Sequence, residues 1–373
     1  MQFEWLRPIL IIFAAMKRRA IYCAVGVLLA AACARPAGQK TQEEGEFSRE
    51  VLLKMTPVKD QGHSALCWLY GMTATIETEH LMKGDSVHLS VDYLARRFLH
   101  DAAVGYYFSG GRVPVSMRGM GTMTLRLMDE YGAEPYDSYH GKGVSYDVIS
   151  RRLMQAADGV RSLESLNARI EEIFDHAVDY LPRIVYMLGA EYTPLEFAHS
   201  MVAPGEYTAL TSFTHHPFGR FVALEVPDNR MHDRFLNLPL DSLMAVIMRS
   251  ISTGHPICWE GDVSEPGFSF KDGVARMPAG AGPVTQRRRQ QAFERLQTTD
   301  DHVMALVGLA RDRKGRLYFI AKNSWGTRNP YGGLMYLSED YVRMKTVAVI
   351  VQSSLIRRAD KLRHAECGML RDE

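Results

Sequence analysis

The chain has 373 residues, 44 Lys plus Arg against 43 Asp plus Glu, 23% charged and 46% hydrophobic residues. That balance is the one expected of a globular protein, and it argues against a disordered chain, a collagen-like repeat or a multi-span membrane protein. A formal net charge of +1 gives no reason to expect nucleic acid as a partner. Five cysteines, at 23, 33, 67, 258 and 367, show neither zinc-ligand spacing nor a disulfide framework.

From Met16 a basic cluster, Lys17-Arg18-Arg19, precedes an apolar run from Ala20 to Ala32. This is the layout of a bacterial secretory signal. Residues 1–33 are therefore expected to be an export segment ending at Cys33, a lipidation site that would tie the chain to a membrane at the cell envelope. Plain cleavage at an A-x-A site is the alternative, and Met16 is a better placed start than Met1. Residues 34–47, polar and Gly-containing, read as a tether.

Thr56 to Tyr70 is the first segment with chemical content, because Cys67 stands at the head of a helical pattern marked by Trp68, Leu69, Met72 and Ile76. A thiolate at a helix start is favoured by the dipole and the unpaired N–H groups, so the thiol is expected to be acidified. Gln61, on the loop before it, is placed to donate to an oxyanion together with the Cys67 N–H.

A thiol needs a base, and the base needs an orienting partner. His302 heads an apolar strand, and a polar turn at Arg311–Gly315 leads into a second strand, Leu317–Lys322, followed by Asn323-Ser324-Trp325-Gly326. Antiparallel pairing would bring His302 beside Asn323, with Trp325 shielding the contact. His63, His215 and His216 lack such context and read as structural or solvated.

These segments, Q-G-x4-C-W at Gln61–Trp68, D-H at Asp301-His302 and K-N-S-W-G at Lys322–Gly326, resemble the papain-like cysteine peptidases. The resemblance implies an α+β fold with a helical lobe and a β-rich lobe, no cofactor, and a peptide or protein substrate. By position it makes Cys67 the nucleophile, His302 the general acid/base, Asn323 its orienter and Gln61 the oxyanion donor. Arg118, Gly119, Asp301 and Trp325 become candidate substrate-binding residues.

His302 follows Cys67 by 235 positions, roughly 90 more than papain and the cathepsins need. The intervening Leu89–Leu94, Met128–Tyr136, Tyr192–Phe197 and Gly254–Val263 resemble the bleomycin hydrolase and aminopeptidase C branch, which implies aminopeptidase action and an oligomer. A peptidase domain is expected over residues 48–356, with a helical insertion at about 142–239 and a charged tail at 357–373. The tail does not match the one with which that branch holds a substrate amino group, and the short chain predicts a smaller assembly than the branch's hexamer.

Leu66, before the nucleophile, predicts an apolar mouth to the site. Arg287–Arg289 reads as a solvated run leading into a helix, and Cys258 as a core thiol. A catalytically silent binding lipoprotein, or an amidohydrolase or acyl transferase with the same triad, remain the competing readings.

Overall fold

The computed structural model describes residues 46–187 and 189–356. The compact unit runs from Arg49 onward, and of the stretch ending at Ser48 only residues 46–48 are described, at the start of the first strand. Cys33 with the export segment, most of the tether, and residues 357–373 lie outside the described residues.

In chain order the elements are β1 (Phe47–Leu52), α1 (Cys67–Lys83), α2 (Val91–Phe108), α3 (Gly121–Tyr131), α4 (Tyr146–Ala157), α5 (Leu163–Ala177), β2 (Val185–Met187), β3 (Ala190–Tyr192), α6 (Pro194–Met201), β4 (Tyr207–Thr211), β5 (Phe221–Ala223) and β6 (Arg234–Asn237). The chain continues through α7 (Leu240–Ser252), β7 (Ile257–Gly261), β8 (Phe268–Ser269), β9 (Val274–Ala275), α8 (Gln286–Glu294), β10 (His302–Asp312), β11 (Leu317–Lys322), β12 (Leu334–Ser338), α9 (Glu339–Lys345) and β13 (Thr346–Gln352).

Helix α1 is buried almost all round from Cys67 to His80, so it is a core helix and not an amphipathic surface one. It stops at Gly84, whose φ of 100° only glycine adopts without strain, and whose N–H closes on the carbonyls of His80 and Leu81. One side of α1 lies directly on β10. A Cβ at Gly71 would come within 2.6 Å of Val303 Cγ1, so the absence of a side chain there sets the approach of helix to strand.

The strands run in the order β5-β6-β4-β13-β7-β10-β11-β12-β9-β8. At its centre β10 pairs antiparallel with β7, Val303 opposite Glu260, and with β11, Ala305 opposite Lys322. Apolar residues fill both faces. Trp68, Leu94, Leu99 and Phe174 belong to the core under the helical lobe, while Trp259, Met304, Phe319 and Tyr341 pack with α7 and α9 on the other face.

The insertion is helical through α4, α5 and α6, broken by the β2–β3 hairpin, and turns to strands after Met201. Helices α4 and α5 pack on α2 as expected, but residues 207–237 supply β4, β5 and β6, which extend the large sheet through β4–β13 pairing. Short strands with no sustained alternation gave no sequence signal for residues 207–237. The basic run also departs from expectation. Arg289 is fully buried in α8, donating to the carbonyls of Ser212, Arg343 and Met344.

Candidate active site

The β10–β11 hairpin does what its sequence predicts. His302 is the first residue of β10 and Asn323 follows the last of β11, and His302 Nε2 donates to Asn323 Oδ1 at 2.7 Å. The Ser324 N–H donates to the same oxygen at 2.8 Å, which fixes the amide with its carbonyl toward the imidazole. Nε2 therefore carries the proton and Nδ1 is left as the basic nitrogen. The Trp325 ring lies 4.6 Å from the His302 ring, with Phe268 and Phe270 edge-on to it, so the contact is screened from water.

Cys67 opens α1 with its sulfur in reach of the backbone of Val303, next to His302 in sequence, and of Trp68. As first residue of the helix, its N–H has no intrahelical acceptor. The expected acidification is not found. Burial, aided by the negative charges of Asp228 and Glu260, pushes the thiol up to about 12 against the pull of those backbone contacts. Burial likewise pushes His302 down to about 4, although Asn323 and the charge of Asp301 work the other way. In this conformation the thiol and the imidazole are both neutral, because desolvation outweighs the helix dipole.

Gln61 is oriented from two sides. Its Nε2 donates to the Ser64 carbonyl and its Oε1 accepts from Ser324 Oγ, both at 2.6 Å. One of the two Nε2 hydrogens remains for another acceptor. The Gln61 N–H donates to the Ser324 carbonyl at 2.8 Å, so this loop is stitched to the Asn323 segment. A buried ionic knot stands behind both. Glu77 of α1 accepts from Lys59, Thr56 and the Leu89 N–H, and Lys322 reaches Thr56 at 2.6 Å. Burial alone would raise the Glu77 pKa, but Lys59 and Lys322 hold it below the usual carboxylate range.

Of the candidate substrate contacts, Arg118 is exposed and forms a clasp between the lobes. Its Nε donates to Asp228 Oδ1 at 2.6 Å and its Nη2 to the Asp300 carbonyl at 3.1 Å. The Asp228 N–H donates to Asp300 Oδ2 at 3.1 Å. Asp233, from the same segment between β5 and β6, accepts from Thr122 and Arg126 of α3. Gly119 is buried against Trp68, where a Cβ would fall 3.0 Å from the indole. Asp301 turns its carboxylate to Thr299 and the Ser264 N–H. Leu66 is fully buried, so it does not line the mouth of the site.

Asp228 and Glu260 were not apparent as site residues in the sequence, since neither adjoins a motif. A carboxylate in the otherwise apolar Ile257–Gly261 strand was the one visible signal for Glu260. Cys258, in the same strand, is fully buried as expected. His215 and His216 both face Glu225, with the ligand atoms of the three within 4.8 Å of one another. Gln290 Nε2 donates to His215 Nδ1 at 2.9 Å, which keeps the proton on the nitrogen facing Glu225. The cluster is thus a histidine–carboxylate pairing, not a set of free metal ligands.

Residues 184–366 match the model of the Peptidase C1-like family. The mitochondrial cysteine proteinase 1 of Saccharomyces cerevisiae strain JAY291 is 21% identical, aligned over 83% of this chain and 77% of its own. The protein of that name from strain S288c is 20% identical over the same shares. The crystal structure of PepW from Lactobacillus rhamnosis shares the fold, with a TM-score of 0.62, 14% identity and 82% of each chain covered. With the Gln61–Trp68, Asp301-His302 and Lys322–Gly326 motifs gathered around one hairpin and one helix start, these similarities support a papain-like cysteine peptidase resembling the yeast cysteine proteinases.

Proposed function

We propose that this cysteine peptidase removes residues from the amino terminus of peptides through a thioester on Cys67. The observation that carries the chemistry is the 2.7 Å His302–Asn323 hydrogen bond one residue from Val303, whose backbone meets the Cys67 sulfur. The thiol proton passes to His302 Nδ1 as the sulfur attacks the scissile carbonyl, and the oxyanion takes hydrogen bonds from Gln61 Nε2 and the Cys67 N–H. His302 then gives that proton to the leaving amine, which departs as the thioester forms. Water, deprotonated by His302, releases the acid and restores the thiol.

Restriction to chain ends is supported by the acidic setting two residues before His302, where Asp228 and the Asp300 carbonyl already hold the Arg118 guanidinium and offer a place for a chain-end ammonium. The test compares peptides with free and acetylated amino termini for wild type and Cys67→Ala. Turnover of free-amine peptides that disappears in Cys67→Ala is expected; preferred cleavage inside acetylated chains defeats the aminopeptidase reading. Export and lipid anchoring at Cys33 belong to the same proposal, supported by the basic and apolar pattern of residues 17–33. Metabolic labelling with a radioactive fatty acid, abolished in Cys33→Ala, tests it.

A silent binding protein is favoured by one observation, the burial that keeps Cys67 and His302 both neutral. It requires that no peptide, free or blocked, be hydrolysed faster by wild type than by Cys67→Ala.

A further inference from the structure

Glu260 is an anomaly in the wall of the site. It stands opposite Val303 on β7, is 2% exposed, and sets a carboxylate among apolar neighbours. Its Oε1 accepts the N–H of Gly121, at the start of α3. Its Oε2 is buried without a hydrogen-bond partner among the described residues. Burial pushes this carboxyl up to about 8, so near neutral pH it keeps its proton in the free enzyme. The nearest charges do not relieve it, because those acting on Glu260 are Asp300, Asp228 and Asp233.

The same carboxylates converge from other elements. Asp300 lies two residues before His302, Asp228 comes from the segment between β5 and β6, and the Asp228 N–H is bonded to Asp300. Asp228 and Glu260 both act electrostatically on Cys67. Arg118 is the cation in contact with Asp228, and its side chain is 49% exposed. An ion pair that open to solvent contributes little, so a competing cation displaces it readily. The partnerless oxygen of Glu260 thus belongs to the residue opposite Val303 on β7, while the half-exposed Arg118 guanidinium is held by Asp228 and by the Asp300 carbonyl just before β10.

We propose that Glu260, Asp228 and Asp300 form a cation subsite that takes an ammonium group of the peptide substrate, with Arg118 as its internal occupant in the free enzyme. This deepens the aminopeptidase reading and rests on it for the source of the cation, the α-ammonium of the chain end. Substrate entry exchanges Arg118 for that ammonium on Asp228 and supplies Glu260 Oε2 with a donor. A bound positive charge draws Glu260 into its ionised form and offsets the negative charge of Asp228 that disfavours the Cys67 thiolate, so a substrate with a free amino terminus promotes its own attack. A Lys or Arg side chain offers the same chemistry and is the other source of the cation.

The experiment measures kcat/KM of the full chain on matched free-amine and acetylated peptides, for wild type, Asp228→Asn, Glu260→Gln and Arg118→Gln. Losing a charge-assisted contact lowers kcat/KM on free-amine peptides by roughly ten- to a hundredfold in Asp228→Asn and Glu260→Gln, with acetylated peptides changed less than about threefold. Arg118→Gln, which removes the internal competitor, raises kcat/KM for free-amine peptides, a gain that a purely structural role would not produce. Should wild type cleave only acetylated peptides, the aminopeptidase reading fails by itself. Acetylated peptides carrying Lys or norleucine near the scissile bond then decide the subsite, a Lys preference lost in Asp228→Asn supporting it. Equal losses on charged and uncharged substrates in both carboxylate variants, or no loss on either, overturn the proposal.

Discussion

Glu77, in the middle of α1, and Lys322, the residue before Asn323, face each other at 3.8 Å, with side chains 0% and 3% exposed. The helix that begins with Cys67 is thereby tied to the hairpin that carries His302 and Asn323. Lys59, 2.9 Å from the same carboxylate, brings the Gln61 loop into the knot.

Removing Glu77 leaves two ammonium groups without their counter-charge, one of them fully interior. Glu77→Ala is expected to cost about 3–5 kcal/mol of stability, read as a lower midpoint in urea unfolding. The sign of the pH effect follows from the lowered Glu77 pKa. Its contribution is present above the unfolded carboxylate value and is lost as pH falls through the folded one, so the gap between wild type and Glu77→Ala narrows in acid. A gap independent of pH would mean that packing, not charge, is what Glu77 supplies.

Asn323→Ala removes the acceptor that holds His302 with its proton on Nε2. If orientation of the base is what Asn323 provides, kcat falls by ~10²-fold with KM little changed. Thermal unfolding of the same variant separates this from damage to the fold. A fall in kcat that tracks the loss of stability, or a rise in KM alone, would remove Asn323 from the proposed machinery.

The hairpin and the helix start were legible because each rests on local pattern. An apolar run and a polar turn announce β10 and β11, and helical spacing after Cys67 announces α1. The protonation states were not legible, since they depend on burial, which no motif encodes. Nor was the clasp. Arg118 and Asp228 are 110 positions apart in separate loops, and each alone reads as an ordinary surface charge. The β-strands of the insertion escaped notice for a related reason. Strands such as β5 and β6 are three and four residues long, and pairing with a distant strand, not their own pattern, makes them strands.

Two buried groups of the site should tilt stability in opposite directions with pH. His302 has its pKa depressed to about 4, so the unfolded chain binds more protons than the folded one between about 4 and 6.5. Its contribution therefore favours the fold above pH 6.5 and is lost on acidification, by up to about 3 kcal/mol. Glu260 is raised to about 8, so the folded chain holds the extra proton between 4.5 and 8, and stability falls as pH rises through that window. Chemical denaturation from about pH 4 to 9 is expected to show His302→Gln gaining on wild type at the acid end and Glu260→Gln gaining at the alkaline end. Parallel curves for all three proteins would contradict the burial that sets both values.

Reactivity of the sulfur offers the most direct check on the resting state. With the Cys67 thiol pushed up to about 12 and no imidazolium beside it, only about one molecule in 10⁵ carries a thiolate at pH 7. Alkylation of Cys67 by iodoacetamide, followed by peptide mass mapping, is then expected to accelerate close to tenfold per pH unit from about 7 to 9.5. Asp228→Asn and, once Glu260 is ionised, Glu260→Gln each remove a negative charge that opposes ionisation, so both are expected to react faster than wild type at about pH 9, by a few-fold. Burial is the larger cause, and neither variant should reach the rate of a solvated cysteine. A rate that is flat from about pH 5 to 8 would mean instead that the thiolate is already formed and paired with a protonated His302. The neutral Cys67–His302 pair would then be wrong, and the carboxylates that act on Cys67 would have to be compensated by a cation in the free enzyme itself.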